Sequence, residues 1–375
     1  MGPLKGLRVI ELEGLGAAPF CGMLLADLGA DVISVSRESS AADRSAQVSE
    51  RGKRSIALNL KHADAVEAVL RLCARSDVLI EGFRPGVAER LGLGPEQCWS
   101  RNRALVYGRM TGWGQSGPLA AAPGHDINYI ALSGVLNAIG PAGQRPVPPL
   151  NLVGDFGGGA MFLAFGVMCA VFEARLSGLG QIVDASMVEG SAALMHMMYA
   201  LSARGLWTES RGTNLLDGGA HFYGTYETAD GKFIAIGAIE PQFYRRLIEL
   251  AGLNAEEFAP QMDRARWPAL RARLASVIKG RTRDEWCALM EGSDACLSPV
   301  LSLREAPLHA HNVARGAFFE SAGVTQPAPT PRFTRTSAGL PRPPRPLGSD
   351  TASVLKAVGY SDEEIRALRE RGALT

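Results

Sequence analysis

The run Arg8-Val9-Ile10-Glu11-Leu12, Gly14-Leu15-Gly16, Ala17 to Leu28, Gly29 and Asp31 to Ser36 constrains this chain more than any other stretch. It reads as an apolar strand, a glycine turn, a helix capped by glycine and a second apolar strand. Two strands joined through a helix run in the same direction, so the unit predicts a parallel sheet and an α/β fold. Further strands are expected at Ile56 to Leu60, Val78 to Ile80, Leu105 to Tyr107 and Gln181 to Ala185. Between the first two of these, Val66, Val69, Leu70 and Cys73 recur at helical spacing.

A dinucleotide site is the first reading to weigh for such a unit. The third glycine of that fingerprint is replaced by Pro19, and Arg37 rather than a carboxylate follows the second strand. Gly112-Trp113-Gly114-Gln115-Ser116-Gly117 matches the glycine spacing but opens no helix, because Pro118 follows; we read it as a structural loop. An arginine after the second strand suits a phosphorylated ribose. Arg37 and Arg84 fall just beyond strand ends, where open α/β sheets place ligands, and Lys53, Arg54 and Arg90 lie in neighbouring loops. The formal net charge is only +1, so positive charge for an anionic ligand has to be local, and nucleic acid is not an expected partner.

The 375 residues allow one or two domains. A large domain is expected over 1–190 and a linker over 191–221. Phe222 to Glu227 and Lys232 to Gly237 flank Ala229-Asp230-Gly231 as a hairpin, which begins a small α+β domain over 222–305. A second linker over 306–326 leads to a proline-rich C-terminal segment, 327–375, returning to the large domain. Thr282 with Glu285, and Ser361 with Glu364, have the spacing of capping boxes. Phe156 to Phe172 carries no charge and is shorter than the roughly 20 residues of a membrane span, so it is expected as a fully buried helix and no membrane span is expected. A long Met-rich helix is expected from about Val188 to Ala203. Six scattered cysteines and an N-terminus without the layout of a signal peptide point to the cytoplasm.

The stretch from Gly124 to Gly159 holds the chemistry. His125 and Asp155 sit thirty positions apart, each in a glycine-flanked turn ahead of an apolar run. A histidine titrates near neutrality and serves as acid or base, while a carboxylate at a helix start is held as an anion. The residues alone leave three roles open: a pair of proton-transfer groups, Asp155 as a nucleophile on a thioester, or merely a core histidine and a helix cap.

Three segments carry a resemblance: Gly124-His125-Asp126-Ile127-Asn128-Tyr129, Asn151-Leu152-Val153-Gly154-Asp155, and Gly237 to Tyr244. Together they resemble the acyl-CoA racemases of the family III CoA-transferase superfamily, and the similarity runs from Val9 into the proline-rich tail. The hexapeptide at His125 is the specific part, since the transferases usually carry an aromatic-Asp-x-x-x-Gln-Ala pattern there. The resemblance implies a Rossmann-like large domain, an interlocked homodimer, and racemisation of 2-methylacyl-CoA thioesters through an enolate. It implies His125 and Asp155 as acid and base, with Glu240 supporting His125. It places coenzyme A against Arg37, Leu58, Asn59, Leu60, Lys61, Gly82, Phe83, Arg84, Pro85, Gly86, Arg90, Gly124, Asp126, Ile127, Asn128 and Tyr129. No metal or separate cofactor is implied, because coenzyme A enters as part of the substrate. Asn59, where Asp is common, and Glu38, where Pro is frequent, depart from the pattern. The alternatives are CoA transfer with Asp155 as nucleophile and an acyl-CoA-binding homologue without turnover.

Overall fold

A computed structural model describes residues 2–37 and 47–374 and divides the chain into two compact units. Glu38 lies outside the described residues. The larger unit comprises residues up to 133, 150–194 and 310 onward; the smaller comprises 134–149 and 195–309.

The larger unit is built on six strands: β1 (Arg8–Leu12), β2 (Asp31–Ser36), β3 (Arg54–Ala57), β4 (Val78–Glu81), β5 (Val106–Thr111) and β6 (Ile182–Ser186). They lie in the order β3-β2-β1-β4-β5-β6 and every pairing is parallel. The α/β expectation therefore holds, in the order of doubly wound folds. Alternation along the strands feeds two cores. Ile10, Ile33, Leu79 and Tyr107 face one side with α2 (Ala63–Cys73), and Val9, Val32, Val78 and Val106 face the other with α1 (Ala17–Asp27). Gly29, at φ 98°, ends α1 as expected of a glycine past the last turn.

The segment after Asn151 departs from its expectation. Leu152–Ala160 is wound with wide π-type turns, and only then does an α-helix run over Met161–Ser177. It is not buried all round: Leu163, Val167 and Ala174 face the core, while Phe165, Phe172 and Leu176 are 72%, 69% and 76% exposed. An uncharged sequence gives no sign of which apolar face stays uncovered in one chain. The combined helix Leu152–Ser177, 26 residues, is long and apolar enough to cross a membrane by length and composition alone, as the core helix of a globular fold also is. The expected long Met-rich helix is also broken, into Met187–Leu194 and His196–Ala203, which fall in different units.

In the smaller unit Tyr223–Glu227 and Phe233–Gly237 form the expected antiparallel hairpin, extended by Leu297–Pro299. Helices Pro241–Leu250, Trp267–Ile278 and Arg283–Met290 contribute to a core containing Phe222, Trp267 and Trp286. Both expected capping boxes form, at Thr282 and at Ser361. Residues 351–374 pack their Val354, Leu355, Ile365 and Leu374 on the α2 side of the larger unit.

Candidate active site

The sheet order reverses direction between β1 and β4, and ligands of open α/β sheets bind beyond the strand ends at such a point. A cavity of about 710 Å³ lies there. Its walls are Glu13 to Gly16 after β1, Arg37 after β2, Gly82 to Pro85 after β4 and Thr111 to Trp113 around the end of β5. A fifth wall brings in His125, Asn128, Tyr129 and Asp155.

Local packing places each reactive group. His125 caps the helix Asp126–Leu132, and its backbone N–H donates to Asn128 Oδ1 at 3.0 Å. Tyr129 packs edge-on against Trp113, with centroids 4.8 Å apart, and its hydroxyl donates to the Gly124 carbonyl. A Cβ on Gly112 would lie 2.0 Å from the Tyr129 ring, so glycine there is what lets the ring close the turn. Asp155 sits in the wide-turn helix and accepts from Asn151 Nδ2 at 3.0 Å. Its own backbone N–H donates to Asp126 Oδ2 at 2.8 Å, which ties the two reactive segments together. Burial pushes the Asp126 carboxyl up; the Asp155 and Gly154 backbone hydrogen bonds oppose this, and the Asp155 charge adds to it. Gly154 leaves room for that carboxylate, since a Cβ would stand 2.3 Å from Asp126 Oδ2. Gly158 likewise admits Ser191, whose backbone nitrogen would lie 2.5 Å from an added Cβ. The N–H groups of His125 and Asp155 are thus engaged by side chains and do not serve a developing oxyanion.

A second cavity of about 480 Å³ shares Glu13, Gly14, Leu15, Arg37 and Phe83 with the first. Leu60, Val87 and Leu91 make it apolar, and Lys61 beside Arg37 makes its edge positive. The Arg37 backbone is fixed by Glu13, whose Oε2 accepts its N–H at 3.0 Å. Two cavities with five lining residues in common suit a long ligand with an anionic, partly apolar end and a reacting end.

The chain matches CoA-transferase family III over residues 4–351. It belongs to that family. The alpha-methylacyl-CoA racemase of Mus musculus is 48% identical over 97% of this chain and 96% of the relative, and that of Homo sapiens 46% over the same shares. A crystal structure of a CaiB/BaiF family protein from Brucella suis superposes with a TM-score of 0.81 at 25% identity, covering 95% of this chain and 99% of that one.

Within this family III fold, the residues expected around coenzyme A divide into groups. Arg37, Gly82, Phe83, Arg84, Pro85, Gly124, Asn128 and Tyr129 line the first cavity, and Leu60 and Lys61 line the second. Leu58 is fully buried in the core and bridges Leu374. Asn59 donates to the Gly372 carbonyl and accepts the Lys61 N–H, so this departure from the family pattern holds the C-terminal tail and the Lys61 turn. Asp126 stands behind the wall, Ile127 is exposed, and Gly86 precedes and Arg90 ends the helix Val87–Arg90, neither of them lining the second cavity. Glu240 caps the helix Pro241–Leu250 in the smaller unit and is exposed.

Two basic residues set among ligand-side loops turn out to have internal partners. Lys53 is buried against Glu11 at 2.7 Å and Glu50 at 3.2 Å, and Arg54 pairs with Asp31 at 2.5 Å. Composition shows charge but not its partner, and two of these partners, Glu11 and Asp31, are distant in sequence. Conversely Met110, Trp113 and Met187 line the first cavity unanticipated. Their only signal was position: Met110 near the end of a strand, Trp113 just past it and Met187 at a helix start.

Proposed function

We propose that the chain is an alpha-methylacyl-CoA racemase that moves the proton on C2 of a 2-methylacyl-CoA thioester through an enolate. The observation that carries this reading is that His125 and Asp155 line one cavity at the strand ends. One group removes the α-proton from one face while the other delivers a proton to the opposite face, and the roles reverse in the other direction. Arg37 and Lys61 supply positive charge for the coenzyme A phosphates, and the apolar lining of the second cavity takes the flat faces of its purine ring. Coenzyme A arrives as part of the substrate, and no other cofactor enters the reaction. The cytoplasm is the compartment proposed, in keeping with six cysteines that are all unpaired thiols.

We infer also that the active form is an interlocked homodimer in which Glu240 of a second copy supports His125. The support is the uncovered face of Met161–Ser177. Phe162, Phe165, Cys169, Phe172 and Leu176 alternate in steps of three and four along it, the spacing of a helix seam, and all five are exposed.

Incubation of one 2-methylacyl-CoA epimer in D2O tests the chemistry. Deuterium at C2 and appearance of the other epimer, with no acceptor acid present, are expected. Turnover only when a carboxylic acid acceptor is added would assign Asp155 to nucleophilic transfer instead.

A further inference from the structure

Behind the wall shared by the two cavities, charged groups are buried together. Glu81, the last residue of β4, is 3% exposed, and its Oε2 accepts the Phe83 N–H at 2.6 Å. Its Oε1 lies 3.7 Å from Nε of Arg109, which is on β5 and 8% exposed. The same guanidinium pairs with Glu89 on the helix Val87–Arg90 and donates to Gln115 Oε1, in the loop after β5, at 2.8 Å. One guanidinium therefore ties the end of β4, the helix that follows it and the loop after β5.

Burying charge is costly unless the group is paired, and an apolar pair of similar size is often as stable. Stability alone thus gives little reason for this cluster. Position gives one: Phe83, whose backbone the cluster fixes, is one of the five residues that line both cavities, and neither Glu81 nor Arg109 lines either of them.

We propose that Glu81 and Arg109 form a clasp that positions the Gly82 to Pro85 loop and so sets the affinity for the coenzyme A part of the substrate. Both are positioning residues, and the inference rests on the reading that the paired cavities hold coenzyme A. The clasp also makes binding pH-dependent. Burial pushes the Glu81 carboxyl up to about 7, against the pull of the Phe83 hydrogen bond and the Arg109 charge, while the charges of Glu89 and Asp184 add to the rise. Tyr107, also on β5, faces this carboxylate as a neutral phenol held well above its ordinary range, first by burial and then by the Glu81 charge. As pH falls through 7 the carboxylate takes up a proton, its pairing with Arg109 is lost and the loop loosens.

The test is calorimetric titration of free coenzyme A into the wild-type protein, Glu81→Gln and Glu89→Gln, from about pH 6 to about pH 8, spanning the Glu81 transition. Glutamine keeps an acceptor for the Phe83 N–H but brings no charge to Arg109. At the alkaline end Glu81→Gln is expected to bind about tenfold more weakly, a typical size for coupling through a neighbouring element. Its affinity then loses the extra fall that the wild type shows below pH 7. Titration of the ligand's own phosphates is common to all three proteins and cancels in the ratios. Turnover should show a raised KM with kcat nearly unchanged. Glu89→Gln loosens Arg109 from its exposed side and removes a charge that raises the Glu81 carboxyl; a smaller weakening is expected, with its fall moved to lower pH. Folded variants that bind coenzyme A like the wild type at every pH, even with a lowered Tm, would overturn the clasp. Failure of the wild type itself to bind coenzyme A would overturn the coenzyme A reading and the clasp with it, and is a distinct result.

Discussion

Gly22 shows how much a single position on α1 constrains this sheet. A Cβ there would stand 1.7 Å from Glu11 Oε2 and 3.4 Å from Lys53 Cε, inside the buried pair that joins β1 to the residue preceding β3. Gly22→Ala must either break the Glu11–Lys53 pair or push the helix off the sheet. Neither charge is removed and Lys53 keeps Glu50, so the cost is that of an overpacked interior, about 1–3 kcal/mol, and urea unfolding should register a loss of that size. A midpoint unchanged from wild type would show that the pair relocates freely. At this scale the sequence was legible where residue type and local context coincide. His125 and Asp155 stand out because glycines flank them and their residue types do proton chemistry. Lys53 and Gly22 do not stand out, because their meaning is a contact with Glu11, which is 42 positions from the lysine.

Elements were legible to the degree that their signals are local. The first strand–helix–strand unit, the hairpin around Asp230 and both capping boxes depend on spacings of a few residues, and each forms. The wide-turn helix Leu152–Ala160 was not legible. Its winding is bound up with close approaches, of Gly154 to Asp126 and of Gly158 to Ser191, that no local pattern announces. The smaller unit holds a further element-scale consequence of burial. His221 is fully buried, its Nε2 lies 2.6 Å from the Tyr244 hydroxyl, and its Nδ1 has no hydrogen-bond partner. Burial first, and then the charges of Arg271 and Arg266, lower its pKa from 6.5 to about 4. The folded unit therefore holds His221 neutral where the unfolded chain takes up a proton. The stability this contributes is whole above pH 6.5 and is lost as pH falls from there toward 4. His221→Gln removes that titration. The stability gap between wild type and variant should narrow between about pH 7 and about pH 5 in urea unfolding. A gap that stays constant over that interval would mean that His221 titrates in the fold as it does in the unfolded chain.

For the whole molecule, the expected site residues belong to both units. His125 and Asp155 line a cavity of the larger unit, while Glu240 caps a helix of the smaller one. An interlocked dimer would bring the two together from different copies, and the exposed apolar seam from Phe162 to Leu176 is the surface such a partner would cover. Co-expression separates this arrangement from one in which each chain completes its own site. His125→Ala is expected to be nearly inactive, since removing an acid–base group costs about 10²–10⁴ in rate, and Glu240→Ala is expected to be strongly impaired through the loss of support for His125. In a mixed dimer with shared sites, one site collects both substitutions and the other collects neither. Random pairing then restores roughly a quarter of the wild-type sites in a two-fold dimer. Sites completed within one chain would regain nothing, because every chain carries a defect. The mixed dimers, purified through two different tags and assayed for C2 deuterium exchange, give the answer directly: recovered activity places Glu240 across the interface, and its absence confines each site to one copy.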